Sequence, residues 1–206
     1  MMRPGRRWLA ALSLGLLAVP VTLGWAQTLA AATAKSANGM LVVVRHDGVE
    51  TRLRGRGAVQ VFEGDVLKTD GQGAMIETDE GAQVVLNGNA IVKVLSRWEK
   101  GKGVTRILRV QRGEVWARSN DNRAFEIETP MGVLVAKSAE VSVRLVSDNE
   151  AVATVVKGTA DFTTPLSSCV LSAGTVSSAS RGKMCTQPRL VDVRSVTSWS
   201  YPLLGR

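Results

Sequence analysis

The chain has 206 residues, enough for one folded domain and barely two, and 45% of them are hydrophobic, so a packed core is possible. Only 4% are aromatic, and valine is abundant without a helical period, which predicts strands rather than helices. The net charge of +8 would suit nucleic acid, but the N-terminus argues against that class of partner.

The first 26 residues are typical of a secretory signal peptide. Three arginines precede an apolar run from Trp8 to Val21, and small residues follow it. This run is shorter than the roughly 20 residues that a spanning helix needs. We therefore predict export, with cleavage after Ala26 or as late as Ala34. An uncleaved segment would be the only membrane contact that we expect.

Export changes the meaning of the charge. Removing residues 1–26 takes away three arginines and no acids, so the mature net charge is 8 − 3 = +5. In the periplasm or elsewhere in the cell envelope, such a surface meets phospholipid head groups or acidic partners. We therefore expect no nucleic-acid partner.

From residue 36 onwards the sequence predicts short strands separated by turns. The stretch LVVVRHDGVETRLR predicts a hairpin with Asp47 and Gly48 at its tip. Breaks at Glu80–Gly81 and Asn87–Gly88 then separate three strands, and the Asn-Gly pair predicts a tight hairpin. The residues predicted to face the core in these strands have even numbers: Ala74, Ile76, Thr78, Ala82, Val84, Leu86, Ala90, Val92 and Val94.

A near-copy of this pattern follows, with equivalent glycines at Gly64 and Gly113, 49 residues apart. Its predicted core-facing residues have odd numbers: Phe125, Ile127, Thr129, Val133, Val135, Ala139, Val141, Val143 and Leu145. The solvent face is predicted to carry Glu126, Glu128, Glu140, Ser142 and Arg144. For residues 36–187 we predict an all-β domain of short antiparallel strands, in a sandwich or a short β-solenoid-like stack, with this internal repeat.

Cys169 and Cys185 are the only two cysteines of the chain. An oxidising compartment favours a disulfide between them, and two free buried thiols are the alternative. Because their spacing is not Cys-x-x-Cys, we do not expect a redox-catalytic pair.

Several short motifs occur in a characteristic order: GDVLKT from Gly64, LRVQRGEVW from Leu108, FEIETP from Phe125 and VVKG from Val155. This series, over about residues 41–180, resembles the FecR-type periplasmic domain family. The resemblance implies an all-β domain without catalytic residues. Well-known members of that family meet the signalling domain of an outer-membrane iron-siderophore receptor and control a sigma factor from the cytoplasm.

Two features depart from that family pattern. Only seven residues precede the apolar run, so we expect no cytoplasmic sigma-binding region. The Gly-Thr pair expected after the Thr-Pro strand is replaced by VAKSAE, from Val135 to Glu140. The resemblance thus implies the fold more strongly than the transducer role.

Residues suited to catalysis or metal binding are few. His46 is the only histidine, and its position after Val42 and Val44 predicts a buried core residue. A zinc site or a Ser-His-Asp triad would need more partners than the chain offers. The adjacent acids Asp79 and Glu80 are predicted to be solvated in a turn. We expect no enzymatic activity, no metal and no cofactor.

Two segments are candidates for partner binding. Arg52, Arg54 and Arg56 follow one another along one strand face, where guanidinium groups could bind carboxylates or phosphates, or could protect an edge strand from pairing. The tail of residues 188–206 carries Trp199 and Tyr201, which could pack on the core or dock on a partner. We predict a non-enzymatic module that binds an envelope protein, with cell-wall or surface polysaccharide as the alternative partner.

Overall fold

The computed structural model describes residues 32–36, 39–55, 57–78, 81–99, 103–119 and 124–204. The predicted signal segment, Arg56 and the Asp79–Glu80 pair lie outside these residues. The described strands are β1 Ala32–Ser36, β2 Met40–Val44, β3 Glu50–Arg54, β4 Ala58–Val61, β5 Val66–Thr69, β6 Ala74–Thr78, β7 Gln83–Leu86, β8 Ile91–Glu99, β9 Gly103–Arg112, β10 Glu114–Arg118, β11 Ala124–Thr129, β12 Gly132–Ser147, β13 Glu150–Thr163, β14 Ser168–Ser172, β15 Thr175–Ser180 and β16 Arg189–Leu190. The helices are α1 Val193–Thr197 and α2 Tyr201–Leu204, joined by a 3-10 turn, Ser198–Ser200. Within these ranges, no helix has the length and apolar character needed to cross a bilayer.

The strands form one hydrogen-bonded path that is nearly closed into a barrel. The path runs in the order β3-β2-β5-β8-β9-β11-β12-β10-β7-β6-β1-β4, and β13 pairs with β12, β14 and β15. All pairs are antiparallel except β9 with β11. The predicted all-β fold is confirmed.

The path divides into two halves that face each other across one core. The first half contains β3, β2, β5, β8, β9 and β11, and the second contains β10, β7, β6, β1 and β4. Buried apolar side chains of both halves join one cluster, which includes Leu41, Leu67 and Ile127 from the first half and Ile76 and Leu86 from the second. Because this cluster excludes water from both halves, it is the main source of stability.

The long hairpin of β12 and β13 joins the two halves at a β-bulge. The early part of β12 pairs with β11, the later part pairs with β10, and the register with β13 shifts between Lys137 and Glu140. Ser138 has a left-handed φ of 48°, and Gly158 opposite it has a φ of 81°. A Cβ at Gly158 would lie 3.0 Å from the Ser138 carbonyl oxygen, so glycine at this position allows β12 and β13 to approach each other closely.

This bulge reverses which residues of β12 face the core. Before it, Leu134 and Ala136 are buried in the core, and after it the core residues are Val141 and Val143. The prediction that Val133 and Val135 face the core was therefore wrong, because an extra residue in the strand changes the side-chain parity. The predicted solvent positions Glu140 and Ser142 are also buried.

The Asn87–Gly88 pair does not form the predicted hairpin. Strand β7 pairs with β6 and β10, whereas β8 pairs with β5 and β9, so the chain crosses between the halves here. The Thr69 hydroxyl stabilises the crossing by donating to the Asn87 carbonyl at 2.6 Å and accepting from the Ala90 amide at 2.9 Å. The predicted hairpin at Asp47–Gly48 is confirmed, since β2 pairs with β3.

The two crossings are 49 residues apart in sequence. Asn89 and Ser138 are the non-glycine residues with positive φ in the described part of the chain, and they mark these two points. The glycines that precede the copies, Gly64 and Gly113, also share a positive φ. The 49-residue repeat itself stays a prediction.

The β domain extends beyond the predicted bounds of 36–187. Strand β1 pairs with β4 and β6, and its residues Ala32 and Ala34 are buried. Cleavage after Ala34 would divide this strand, whereas cleavage after Ala26 would leave it whole. At the other end, β16 pairs with β15.

Candidate protein-interaction surfaces

The outer face of the second half is buried at its centre. A row of neighbouring residues crosses β7, β10, β12, β13 and β15: Val85, Trp116, Ser142, Thr154 and Val176. All five are buried, although none of them belongs to the core cluster between the two halves. This half is therefore covered on both faces.

The cover is the C-terminal cap, which we define as residues 191–204. Asp192 begins α1 by accepting a hydrogen bond from the Arg194 amide at 3.0 Å. Helix α1 contacts β13 and α2 contacts β6, so the cap lies across the sheet. Its Thr197 and Ser200 are fully buried, and their hydroxyl groups donate to cap carbonyls.

A buried carboxylate lies where the cap meets the sheet. Glu114 of β10 is 7% exposed and accepts a hydrogen bond of 2.8 Å from the Ser142 hydroxyl. Burial raises its pKa above the ordinary value, while Ser142, Trp199 and the charge of Arg144 act in the opposite direction. The Trp199 indole N–H approaches this carboxylate but stays outside strict hydrogen-bond geometry.

The structure thus places the predicted tail residues in the cap rather than in a free segment. Trp199 and Tyr201 are half-buried, and the Tyr201 hydroxyl lies 3.4 Å from that of Thr197. Sequence reasoning missed Glu114 and Ser142 as buried partners of this segment. No local sequence pattern signals this burial, because it depends on the cap, which lies far along the chain.

The predicted disulfide is confirmed. Cys169 of β14 is bonded to Cys185, with their Cα atoms 6.3 Å apart. The Cys185 amide donates to the Ser167 hydroxyl at 2.8 Å, and the Ser178 amide donates to the Thr186 hydroxyl at 2.9 Å. These contacts fix the chain just before β16, and therefore fix the start of the C-terminal cap.

The outer face of the first half is different, because it carries exposed cations. One row across β3, β2, β5, β8 and β9 consists of Arg52, Val42, Lys68, Ile91 and Arg112. Arg54 lies on the same face of β3 as Arg52. We call the exposed Arg52, Arg54, Lys68 and Arg112 the cationic face. The prediction for Arg56 lies outside the described residues.

Acidic partners of the chain itself lie mainly at the margins of this face. Glu50 pairs with Arg52 at 3.1 Å, but both side chains are largely exposed, so this pair adds little stability. Towards β11, Arg109 pairs with Glu128 at 2.7 Å, and Arg97 pairs with Glu126. Arg54 makes no ion pair with any residue that the structure describes.

His46 is not the predicted core residue, because it is exposed in the turn between β2 and β3. The neighbouring Arg45 instead forms a partly buried ion pair with Asp65, at 2.5 Å, and lies 5.0 Å from the centre of the Phe62 ring. Across the described residues, no group of three or more metal-binding side chains is found. Near His46, Arg45 and Asp65 form an ion pair between the end of β2 and the start of β5.

Comparison with known proteins agrees with this architecture. Residues 65–161 match the model of the FecR protein family. Two crystal structures, at 2.50 and 1.65 Å resolution, of a candidate anti-sigma factor from Parabacteroides distasonis are similar in fold, each with a TM-score of 0.55 and 16% sequence identity. The match covers 65% of this chain and 63% of that one, so this chain spans less than two thirds of its structural neighbour.

No curated protein matches the sequence. The family match and the fold nevertheless agree, since residues 65–161 run from the start of β5 into β13 and include both crossings between the halves. Residues 65–161 therefore match a FecR domain in sequence, and the fold of the chain agrees with that match.

Proposed function

We propose that this chain is a non-enzymatic regulatory or sensor module of the cell envelope, exported by its N-terminal segment, and that it works by binding another envelope protein. The FecR domain supports a regulatory role. The observation that carries the proposal is the contrast between a closed outer face and an open one. The cap covers the second half, which leaves the cationic face of the first half for a partner.

The chemistry of the cationic face fits an acidic protein surface. Its cations come from three strands held in register, so a partner would meet them at fixed spacing. Half-buried Val42 and Ile91 lie between Arg52, Lys68 and Arg112, which adds apolar contact area. Arginine next to apolar surface is favoured at protein interfaces, because its charge and its stem both contribute.

The test is a crosslinking pull-down with the tagged chain, expressed with its own N-terminus, from whole envelopes. Two variants are compared with the wild type. R52E/R54E reverses two charges on the cationic face, and K183E/R189E reverses two exposed charges elsewhere. We expect one envelope protein to be recovered with the wild type and with K183E/R189E, and to be lost with R52E/R54E.

Purified sacculi are tested for co-sedimentation with the chain in parallel. Sedimentation with sacculi and no protein partner would overturn the proposal and favour the polysaccharide alternative. Equal recovery of the partner with both charge-reversed variants would place the interface elsewhere on the molecule.

A further inference from the structure

Four strands have a single hydrogen-bonded neighbour among the described residues: β3, β4, β14 and β16. Three of these edges are short or obstructed. Arg45 donates to the Gln60 carbonyl of β4 at 2.9 Å, the disulfide ties β14 to the chain beyond β15, and β16 has two residues. Strand β3 has five residues, and its second edge is hydrogen-bonded to no described strand.

The register of β2 with β3 shows which backbone groups face this open edge. The Arg45 amide donates to the Val49 carbonyl at 2.8 Å, and the Gly55 amide donates to the Gly39 carbonyl at 3.3 Å. Because hydrogen-bonded pairs alternate along an antiparallel ladder, Thr51 and Leu53 use their backbone groups on β2. The N–H and C=O groups of Glu50, Arg52 and Arg54 therefore point to the open edge.

The side chains of β3 define what could pair there. Arg52 and Arg54 project from the outer face and are exposed, whereas Leu53 projects inward. Leu53 of β3 and Val59 of β4, the two end strands of the path, are half-buried against the core cluster. A strand added to β3 would place alternate residues beside the two arginines and the others beside Leu53.

We infer that the open edge of β3 binds an extended segment of the partner protein in which acidic and apolar residues alternate. The backbone groups of Arg52 and Arg54 would supply the hydrogen bonds, and their guanidinium groups would select the acids. Antiparallel pairing of β3 with a second copy over its full length would place Arg52 opposite Arg52 and Glu50 opposite Arg54, whereas an acidic segment can place an acid beside both arginines, so the acidic segment is the better occupant. This inference rests on the proposed function and deepens it.

The test uses the purified chain and a synthetic peptide of alternating Glu and Val residues, with an isomeric peptide of the same composition in scrambled order as control. Binding is followed by fluorescence anisotropy, and amide exchange of β3 is measured by NMR. R52P removes the N–H that faces the open edge, without removing a hydrogen bond to β2. R52A removes the same side chain but keeps the N–H, so it is the matched control.

We expect the alternating peptide to bind more tightly than the scrambled one and to protect the amides of Arg52 and Arg54 from exchange. We expect R52P to weaken binding at least about threefold more than R52A, as for one lost backbone hydrogen bond. Equal weakening by R52P and R52A, without amide protection, would overturn strand addition, because contact with the arginine side chains alone would then explain binding. Absence of peptide binding would also overturn it.

Failure of this inference can be distinguished from failure of the proposed function. If the peptide does not bind but the pull-down still recovers an envelope protein through the cationic face, the proposed function stands without strand addition. If the purified chain is itself a dimer that R52P dissociates, the occupant of the edge is a second copy, and the inference is overturned.

Discussion

The two halves of the sheet share one core but differ on their outer faces. In the second half, the outer face carries Trp116, which is fully buried beneath the C-terminal cap. In the first half, the corresponding face carries Arg52, whose side chain is 66% exposed. One half is thus packed on both sides, whereas the other meets solvent.

The alternation of polar and apolar residues along a strand therefore does not decide by itself which side chains are exposed. Glu140 and Ser142 alternate with core residues as the solvent-facing residues of a half-buried strand do, yet both are buried. For Ser142, whose hydroxyl donates to the Glu114 carboxylate beneath the cap, the cause lies 49 residues later in the chain, where the cap begins at residue 191. The cap therefore determines which face of the domain remains open to partners.

The largest effect should follow from removing the cap. Ending the chain at Leu190 would expose Trp116, Val85 and Val176 to water, and we expect a loss of about 3–5 kcal/mol in the free energy of unfolding, with strong binding of a hydrophobic dye. Urea unfolding and dye fluorescence measure this. The control is R194A, an exposed change within α1, which should leave both unchanged. Unchanged stability on truncation would mean that the cap does not pack on the sheet in solution.

Breaking the disulfide should have the next largest effect. C169S/C185S removes a cross-link between residues 16 apart in sequence, and we expect a loss of about 3 kcal/mol, because the unfolded chain gains freedom. Thermal unfolding of the wild type with and without a reducing agent checks this. The reducing agent should lower the melting temperature of the wild type but not that of the variant. An equal shift in both proteins would contradict the prediction.

A smaller, pH-dependent effect is expected for Glu114, the carboxylate beneath the cap. Because burial raises its pKa in the folded state, the folded chain binds this proton more strongly than the unfolded chain. Its contribution to stability therefore falls as the pH rises from the ordinary glutamate pKa through the raised value. E114Q should raise the melting temperature at pH 8 and should have less effect at pH 4.

The measurement is a pair of melting curves for the wild type and E114Q at each pH. E128Q is the matched control, since Glu128 pairs with Arg109 on the outer face of the first half and has no cap above it. E114Q is predicted to stabilise the chain at high pH only. A lower melting temperature for E114Q at pH 8 would show that the charged carboxylate supports the cap.

Local patterns in the sequence were sufficient to predict the strands, the turn at Asp47–Gly48 and the disulfide. They failed where a long-range contact decides the outcome. The pair Asn87–Gly88 has the composition of a hairpin turn, but pairing of β7 with β10 directs the chain to the other half. Likewise, the bulge at Ser138 depends on the approach of Gly158 from the neighbouring strand, which no local pattern indicates.

The candidate surfaces were predicted only in part, because long-range strand pairing determines some of their residues. Arg52 and Arg54 were recognised as one exposed strand face because strand alternation alone places them there. Their neighbours Lys68 and Arg112 were not predicted to share this face, since the row depends on the pairing of β2, β5, β8 and β9. Glu114 was missed because its burial depends on the distant cap.

The smallest effect on stability is expected from substitutions on the cationic face. R52A/R54A removes two exposed guanidinium groups and one exposed ion pair, so the free energy of unfolding should change by less than about 0.5 kcal/mol. Urea unfolding measures this, with the large loss on removing the cap as the comparison. A larger loss would mean that these arginines support the fold of β3. A negligible loss together with lost partner binding would show that the exposed arginines serve recognition, while the covered half maintains the structure.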